Sequence, residues 1–198
     1  MLYQPDFSAF QSGAEKGNLI PVCREILGDM ETPVSAFYKL ARDKEHAFLL
    51  ESAEGGEHWG RYSFIGIKAD KVFSSRGNRV EICEGKDRRH FKEVNPLSKL
   101  QELMNCYRPV ACDDLPGRFL GGGVGYIGYD AVRFIEDLPD NLPDELQLPD
   151  IKLLFCKTVL IFDNLTSKIK IVSNVALGGN EDLKQAYDEA VKDIEEVI

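Results

Sequence analysis

From Ile151 to Phe162 the chain reads IKLLFCKTVLIF, an almost unbroken apolar run rich in β-branched and aromatic residues. Such a run fits a long buried strand. It stops at Asp163-Asn164. Lys168 to Val172 follows, with Ile169 and Ile171 alternating with lysines. Alternation resuming just beyond a turn-forming pair is the signature of a hairpin. A hairpin this long commits the chain to antiparallel pairing, and that limits the folds open to it.

The other segments agree. Asn18 to Leu27 reads as a strand, although Pro21 suits an edge or the start of a strand better than its middle. Ala47 to Leu50 and Arg61 to Ile67 read as strands. Lys71 to Ser75 and Asn78 to Cys83 read as a hairpin around Arg76-Gly77. Thr32-Pro33 opens a helix whose buried face is expected to be Val34, Phe37 and Leu40. Asn95-Pro96 opens another, with Leu97, Leu100, Met104 and Tyr107 on one face. Asn180 is expected to cap a last helix carrying the stripe Leu183, Tyr187, Ala190, Val191 and Ile194. That stripe is still running at Ile198, which suggests that the natural chain continues. The Pro- and Asp-rich stretch from Leu138 to Asp150 reads as a surface loop. Strands in hairpins with few helices define an α+β fold of mostly antiparallel sheet, with helices packed on one side. Regular strand–helix alternation, the mark of a doubly wound parallel sheet, is absent.

The net charge of −9 argues against nucleic acid and anionic membrane as partners. No basic, apolar leader opens the chain, and no apolar stretch is long enough to span a bilayer. A cytoplasmic location is expected. Five cysteines, with no CxxC pair, read as reduced and mostly buried small residues. The sequon-like Asn164-Leu165-Thr166 is read as a turn.

Gly123-Val124-Gly125-Tyr126-Ile127-Gly128 matches GxGxxG, but dinucleotide binding also needs a strand before it and a full helix after it. Only Phe119-Leu120 precede it, and the helical run Asp130 to Glu136 ends at Leu138-Pro139. The better reading is a strand whose glycines permit close backbone packing, with Tyr126 and Tyr129 filling space beside them. His46, His58 and His90 have no partners at metal-ligand spacing, and no serine sits in a nucleophile elbow. Neither a catalytic residue nor a metal ligand is assigned. What remains is FLLESAEGGEHWGRYSFIG, Phe48 to Gly66. A strand ends there on Glu51 and Ser52, and a Gly55-Gly56 loop follows that holds the sole tryptophan, Trp59. A carboxylate beside a hydroxyl can hold the polar head of an amino acid, with Arg61 and Ser63 adding a cation and a second hydroxyl. The simpler reading is a hairpin in which Glu51 caps local amides.

The segments ETPVSAFYKL, FLLESAEGGEHWGRYSFIG, GGGVGYIGYDAVRFIE and VLIFDNLTSKIKIV resemble, in order and spacing, the N-terminal region of anthranilate synthase component I. The resemblance covers the chain from about Asn18 to its end. It implies half of a layered β-sandwich of the chorismate-utilising type, with residues 1–198 forming the regulatory region and the catalytic chorismate-binding domain lying outside. The family enzyme, a lyase of tryptophan biosynthesis, converts chorismate and ammonia to anthranilate and pyruvate. It uses Mg2+, and its ammonia comes from a glutamine amidotransferase subunit. L-Tryptophan inhibits it as an allosteric feedback ligand. By position, the resemblance implies tryptophan contacts at Leu50, Glu51 and Ser52, with Arg61, Tyr62 and Ser63 beside them. This chain alone is then expected to be inactive, and to expose apolar surface that the catalytic half covers. Two other readings stand at this point. One is the N-terminal part of aminodeoxychorismate synthase component I, and the other is a stand-alone, non-catalytic amino-acid-binding module.

Overall fold

The computed structural model describes residues 2–51, 60–112, 115, 121–139 and 143–198. Ser52, Gly55, Gly56, Trp59 and the Phe119-Leu120 pair lie outside the described residues. Two compact units divide the chain. The first comprises Met1–Ala69, Tyr107–Gly122 and Cys156–Ile198, and the second Asp70–Cys106 and Gly123–Phe155.

The first unit contains α1 (Phe7–Ala14), β1 (Leu19–Leu27), α2 (Pro33–Ala41) and β2 (Phe48–Leu50). It also holds the opening half of β3 (Tyr62–Arg76), the closing half of β7 (Ile151–Asp163), β8 (Lys168–Ala176) and α4 (Leu183–Glu195). The strand order is β1-β8-β7-β3, with β2 on β3. The pairs β1/β8, β7/β8 and β2/β3 are antiparallel. The expected hairpin is therefore present, with Asp163 opposite Lys168. One sheet face carries Ile20, Val22, Ile65, Leu160, Phe162, Ile169 and Ile171, covered by Phe10 of α1, Ala36 of α2, and Tyr187, Ala190 and Ile194 of α4. The helices thus lie on one side. The other face holds Cys23, Val159, Ile161 and Val172, with Phe48, Tyr62 and Phe64 packed against them.

Pro21 sits opposite Asn174 in the middle of β1 rather than at its start. The edge position makes this tolerable. The amide of Leu19 bonds Arg108 O and that of Cys23 bonds Gln4 O, both away from β8. Pro21, of the same parity, also turns its nitrogen to that side, where no ladder bond is lost.

The second unit contains the far half of β3, β4 (Arg79–Glu84), β5 (Asp87–Lys92), α3 (Pro96–Asn105), β6 (Gly123–Ile127), a 3-10 turn at Tyr129–Phe134 and the opening half of β7. The pairs β3/β4, β4/β5 and β6/β7 are antiparallel. Its core is Phe73, Val80, Ile82, Ala131, Ile151 and Phe155, against which Leu97, Leu100 and Leu103 pack from α3. The GxGxxG stretch is a strand, as expected. A Cβ on Gly125 would come within 2.0 Å of Lys152 O on β7, so only glycine lets the two backbones approach. The tyrosines differ from expectation: Tyr129 is 92% exposed and Tyr126 42%, so neither fills space beside the glycines.

Other differences have local causes. The strands expected at Arg61 to Ile67 and Lys71 to Ser75 are one continuous β3. Two elements carry no expectation from the sequence, α1 and the charged strand β5. In α2, Thr32 is the N-cap as the sequence implies, with Ser35 completing a capping box, but Val34 is 56% exposed while Ala36 and Ala41 are buried. Small residues let this helix sit close to its neighbours. In α3 the inner stripe is Leu97, Leu100 and Leu103, and Met104 is 43% exposed. The cap of α4 is Asp182, which accepts from Lys184 N and Gln185 N, rather than Asn180. Glu181 instead accepts from the amides of Gly178, Gly179 and Asn180, at 2.8, 2.8 and 3.1 Å. Those bonds, Gly178 first, hold its carboxyl below the usual range.

Candidate functional site

The candidate surface lies in the first unit, where β2 ends and β3 begins. Leu50 pairs with Phe64, Leu49 with Ile65 and Phe48 with Gly66. Side chains alternate along a strand, so Phe48 and Leu50 share a face with Phe64 and Tyr62. Phe48, Tyr62 and Phe64 all pack against the Cys23–Val172 cluster. Leu50, at the end of this row, is 43% exposed. The result is a partly open aromatic and aliphatic wall, suited to a flat apolar ring. Glu51 follows directly and is exposed. Among the described residues its carboxylate has no ion-pair partner.

Arg61 and Ser63 take other positions. The Arg61 guanidinium makes a two-point bond to Asp163, Nε to Oδ1 at 3.0 Å and Nη2 to Oδ2 at 2.7 Å. It also lies 4.9 Å from the centroid of the Tyr62 ring. Fork-to-fork pairing of this kind is the stronger class of ion pair and fixes both side chains. Asp163 also accepts from the amides of Leu165 and Thr166, closing the β7–β8 turn on itself. Asn164 completes the clamp. Its amide donates to Arg61 O at 2.8 Å, and its Nδ2 donates to Gly60 O and to Ser63 Oγ. Ser63 is fully buried on the face opposite Leu50 and Tyr62. The structure thus sets Leu50 and Tyr62 on one face, with Glu51 following Leu50 in the chain, binds Arg61 into the turn, and sets Ser63 behind the sheet. The sequence marks Asp163-Asn164 as a turn but offers no local sign that it grips the start of β3, because the partners are about a hundred residues apart.

The Arg61 bond, followed by the Thr166 side chain and the Leu165 amide, holds the Asp163 carboxyl at about 2, below its ordinary 3.8. A depressed carboxyl adds stability that is complete above its unfolded value and is lost as pH falls through its folded one. The chain should therefore lose stability between about pH 4 and about pH 2 through this group. Asp163→Asn is expected to flatten that limb and to cost about 1 kcal/mol near neutrality. Urea midpoints at roughly pH 3 and roughly pH 6 test this. Identical acid sensitivity in the two proteins would refute it.

Among the described residues, no three His, Cys, Asp or Glu side chains are grouped to hold a metal ion. Among the same residues, no helix is long and apolar enough to cross a membrane.

Comparison with known proteins places this architecture. No protein-family model matches the chain. The crystal structure of anthranilate synthase component I from Streptococcus pneumoniae TIGR4 superposes with a TM-score of 0.52 at 20% identity, over 87% of this chain and 36% of that one. That likeness defines the class: an antiparallel sheet with few helices, as found in part of that larger protein. Anthranilate synthase component 1 of Acetivibrio thermocellus is 38% identical over 196 residues, covering 99% of this chain and 39% of that protein. The Aquifex aeolicus protein of the same name is 40% identical over 185 residues, covering 93% of this chain and 37% of that protein. The chain is the counterpart of the N-terminal part of anthranilate synthase component I, and it spans less than two fifths of those relatives.

Proposed function

We propose that this chain is the regulatory N-terminal part of an anthranilate synthase large subunit and contributes its L-tryptophan feedback site. The complete enzyme converts chorismate and ammonia to anthranilate and pyruvate with Mg2+. Its ammonia comes from glutamine on an amidotransferase subunit, and its catalytic and metal-binding residues lie outside this chain. The observation that carries the reading is the end of β2. There a partly exposed apolar wall of Leu50 and Tyr62 is followed in the chain by Glu51, which is exposed and whose carboxylate has no ion-pair partner among the described residues. The wall suits an indole, and Glu51 suits the ligand's ammonium. Ser52, next in sequence, binds the ligand's carboxylate or its neighbours. Arg61 and Ser63 serve the site as framework, through Asp163 and Asn164.

Inhibition requires that tryptophan bind the inactive arrangement of the complete enzyme more tightly than the active one, since a ligand with equal affinity for both shifts nothing. The relatives named above carry the anthranilate synthase name, which favours anthranilate over aminodeoxychorismate as the product. The test is Ser52→Ala in the complete enzyme, followed by anthranilate fluorescence. The tryptophan concentration for half inhibition should rise while turnover stays near that of the parent. An equal loss of turnover and inhibition would sink the assignment.

A further inference from the structure

We propose that the open edge of β5 is a docking edge for an extended acidic segment of a partner protein, which joins the sheet as an additional strand. The inference concerns the second unit alone and does not depend on the tryptophan site. β5 ends the strand order and, among the described residues, pairs only with β4. The amide of Glu93 donates to Asn78 O at 2.8 Å, so odd-numbered residues direct their main-chain groups at β4. Arg88, His90 and Lys92 therefore direct their N–H and C=O groups outward. Among the described residues, nothing bonds them on that side.

The side chains of the same three residues lie on one face. The pairing register sets Arg76 opposite Arg79 and Arg79 opposite Lys92, a row of three cations across three strands. Arg76 is paired with Asp144 at 2.8 Å. Arg79 and Lys92 are exposed, and among the described residues neither has a carboxylate partner. In the next rows Glu81 answers both Arg88 and His90, each at 3.5 Å, and among the described residues no other carboxylate does. The other face of this meander is covered by α3.

Charge on an edge strand also guards against unwanted pairing. A same-sign row is different. Like charges directly opposite each other destabilise the pairing, and this row occurs in a chain whose net charge is −9. An incoming strand with carboxylates at alternate positions relieves that repulsion and satisfies the outward main-chain groups at once. A neutral or basic strand does not.

The test uses the whole chain and a labelled short peptide of alternating glutamate and threonine, with a glutamine–threonine peptide and an oligothymidylate as competitors. Saturable binding of the acidic peptide is expected. The glutamine peptide should bind about tenfold more weakly or worse, and Arg79→Glu with Lys92→Glu should weaken the acidic peptide by about tenfold. His90→Pro should weaken it comparably, because it removes one outward N–H at an edge position where proline is tolerated. In the unsubstituted chain, amide exchange should slow at Arg88, His90 and Lys92, but not at Arg89 or Phe91. Absence of saturable binding would overturn the proposal. So would binding that shows no alternating protection and that oligothymidylate displaces equally well, since that is diffuse attraction to any polyanion.

Discussion

Replacing Phe10 with alanine is expected to lower the unfolding free energy by about 3–5 kcal/mol. A domain of this size is stable by only about 5–15 kcal/mol, so much of the margin disappears. The reason lies in how α1 is held. A helix this short has little stability of its own. Asp6 caps it, accepting from Ala9 N at 2.8 Å. Packing supplies the rest: Phe10 is fully buried, and its ring meets Tyr187 edge to face at 5.3 Å. Phe7 meets the same ring at 5.7 Å, and the Tyr187 hydroxyl donates to Pro5 O at 3.0 Å. The alanine leaves a cavity among Ile20, Val22 and Ile194 that a paired sheet cannot collapse to fill. Urea denaturation measures the loss, with Phe7→Ala as the milder control. A loss below about 1 kcal/mol would mean that α1 is not an anchored part of the core.

Glu51→Gln is expected to have the largest functional effect. If Glu51 takes the ligand ammonium, the change replaces a charge-assisted bond with a neutral one, at a cost of about 1.5–3 kcal/mol. The tryptophan needed for half inhibition of the complete enzyme should then rise by about tenfold to about a hundredfold. Turnover and thermal stability should stay near the parent values, because Glu51 is exposed and has no ion-pair partner among the described residues. Inhibition curves with matched melting curves separate the outcomes. Unchanged inhibition would remove Glu51 from the ligand's surroundings, and a fall in stability would show a structural role instead.

Elements with a strong period were legible in the sequence. The β7–β8 hairpin, the Thr32 cap of α2 and the α4 stripe of Tyr187, Ala190 and Ile194 all follow from local chemistry. β5 was not legible, because DRRHFK has no apolar alternation. Phe91 packs against the core and the strand's other residues are exposed, so this edge strand owes its place mainly to its pairing with β4. α1 had a signal, Asp6 followed by Phe7, Phe10 and Ala14, but it is short and follows Pro5. For the candidate site, Leu50 and Glu51 were legible as a strand that stops on a polar residue. The roles of Arg61 and Ser63 were not, because they are set by Asp163 and Asn164, which only the β7–β8 turn brings near.

The most direct measurement is anthranilate formation by the complete enzyme, with chorismate, Mg2+ and ammonium, as L-tryptophan is titrated in, run beside the 198-residue chain alone. The account predicts that the complete enzyme forms anthranilate and is inhibited saturably by tryptophan, and that the isolated chain forms none. Anthranilate from the isolated chain, or a complete enzyme indifferent to tryptophan, would contradict it.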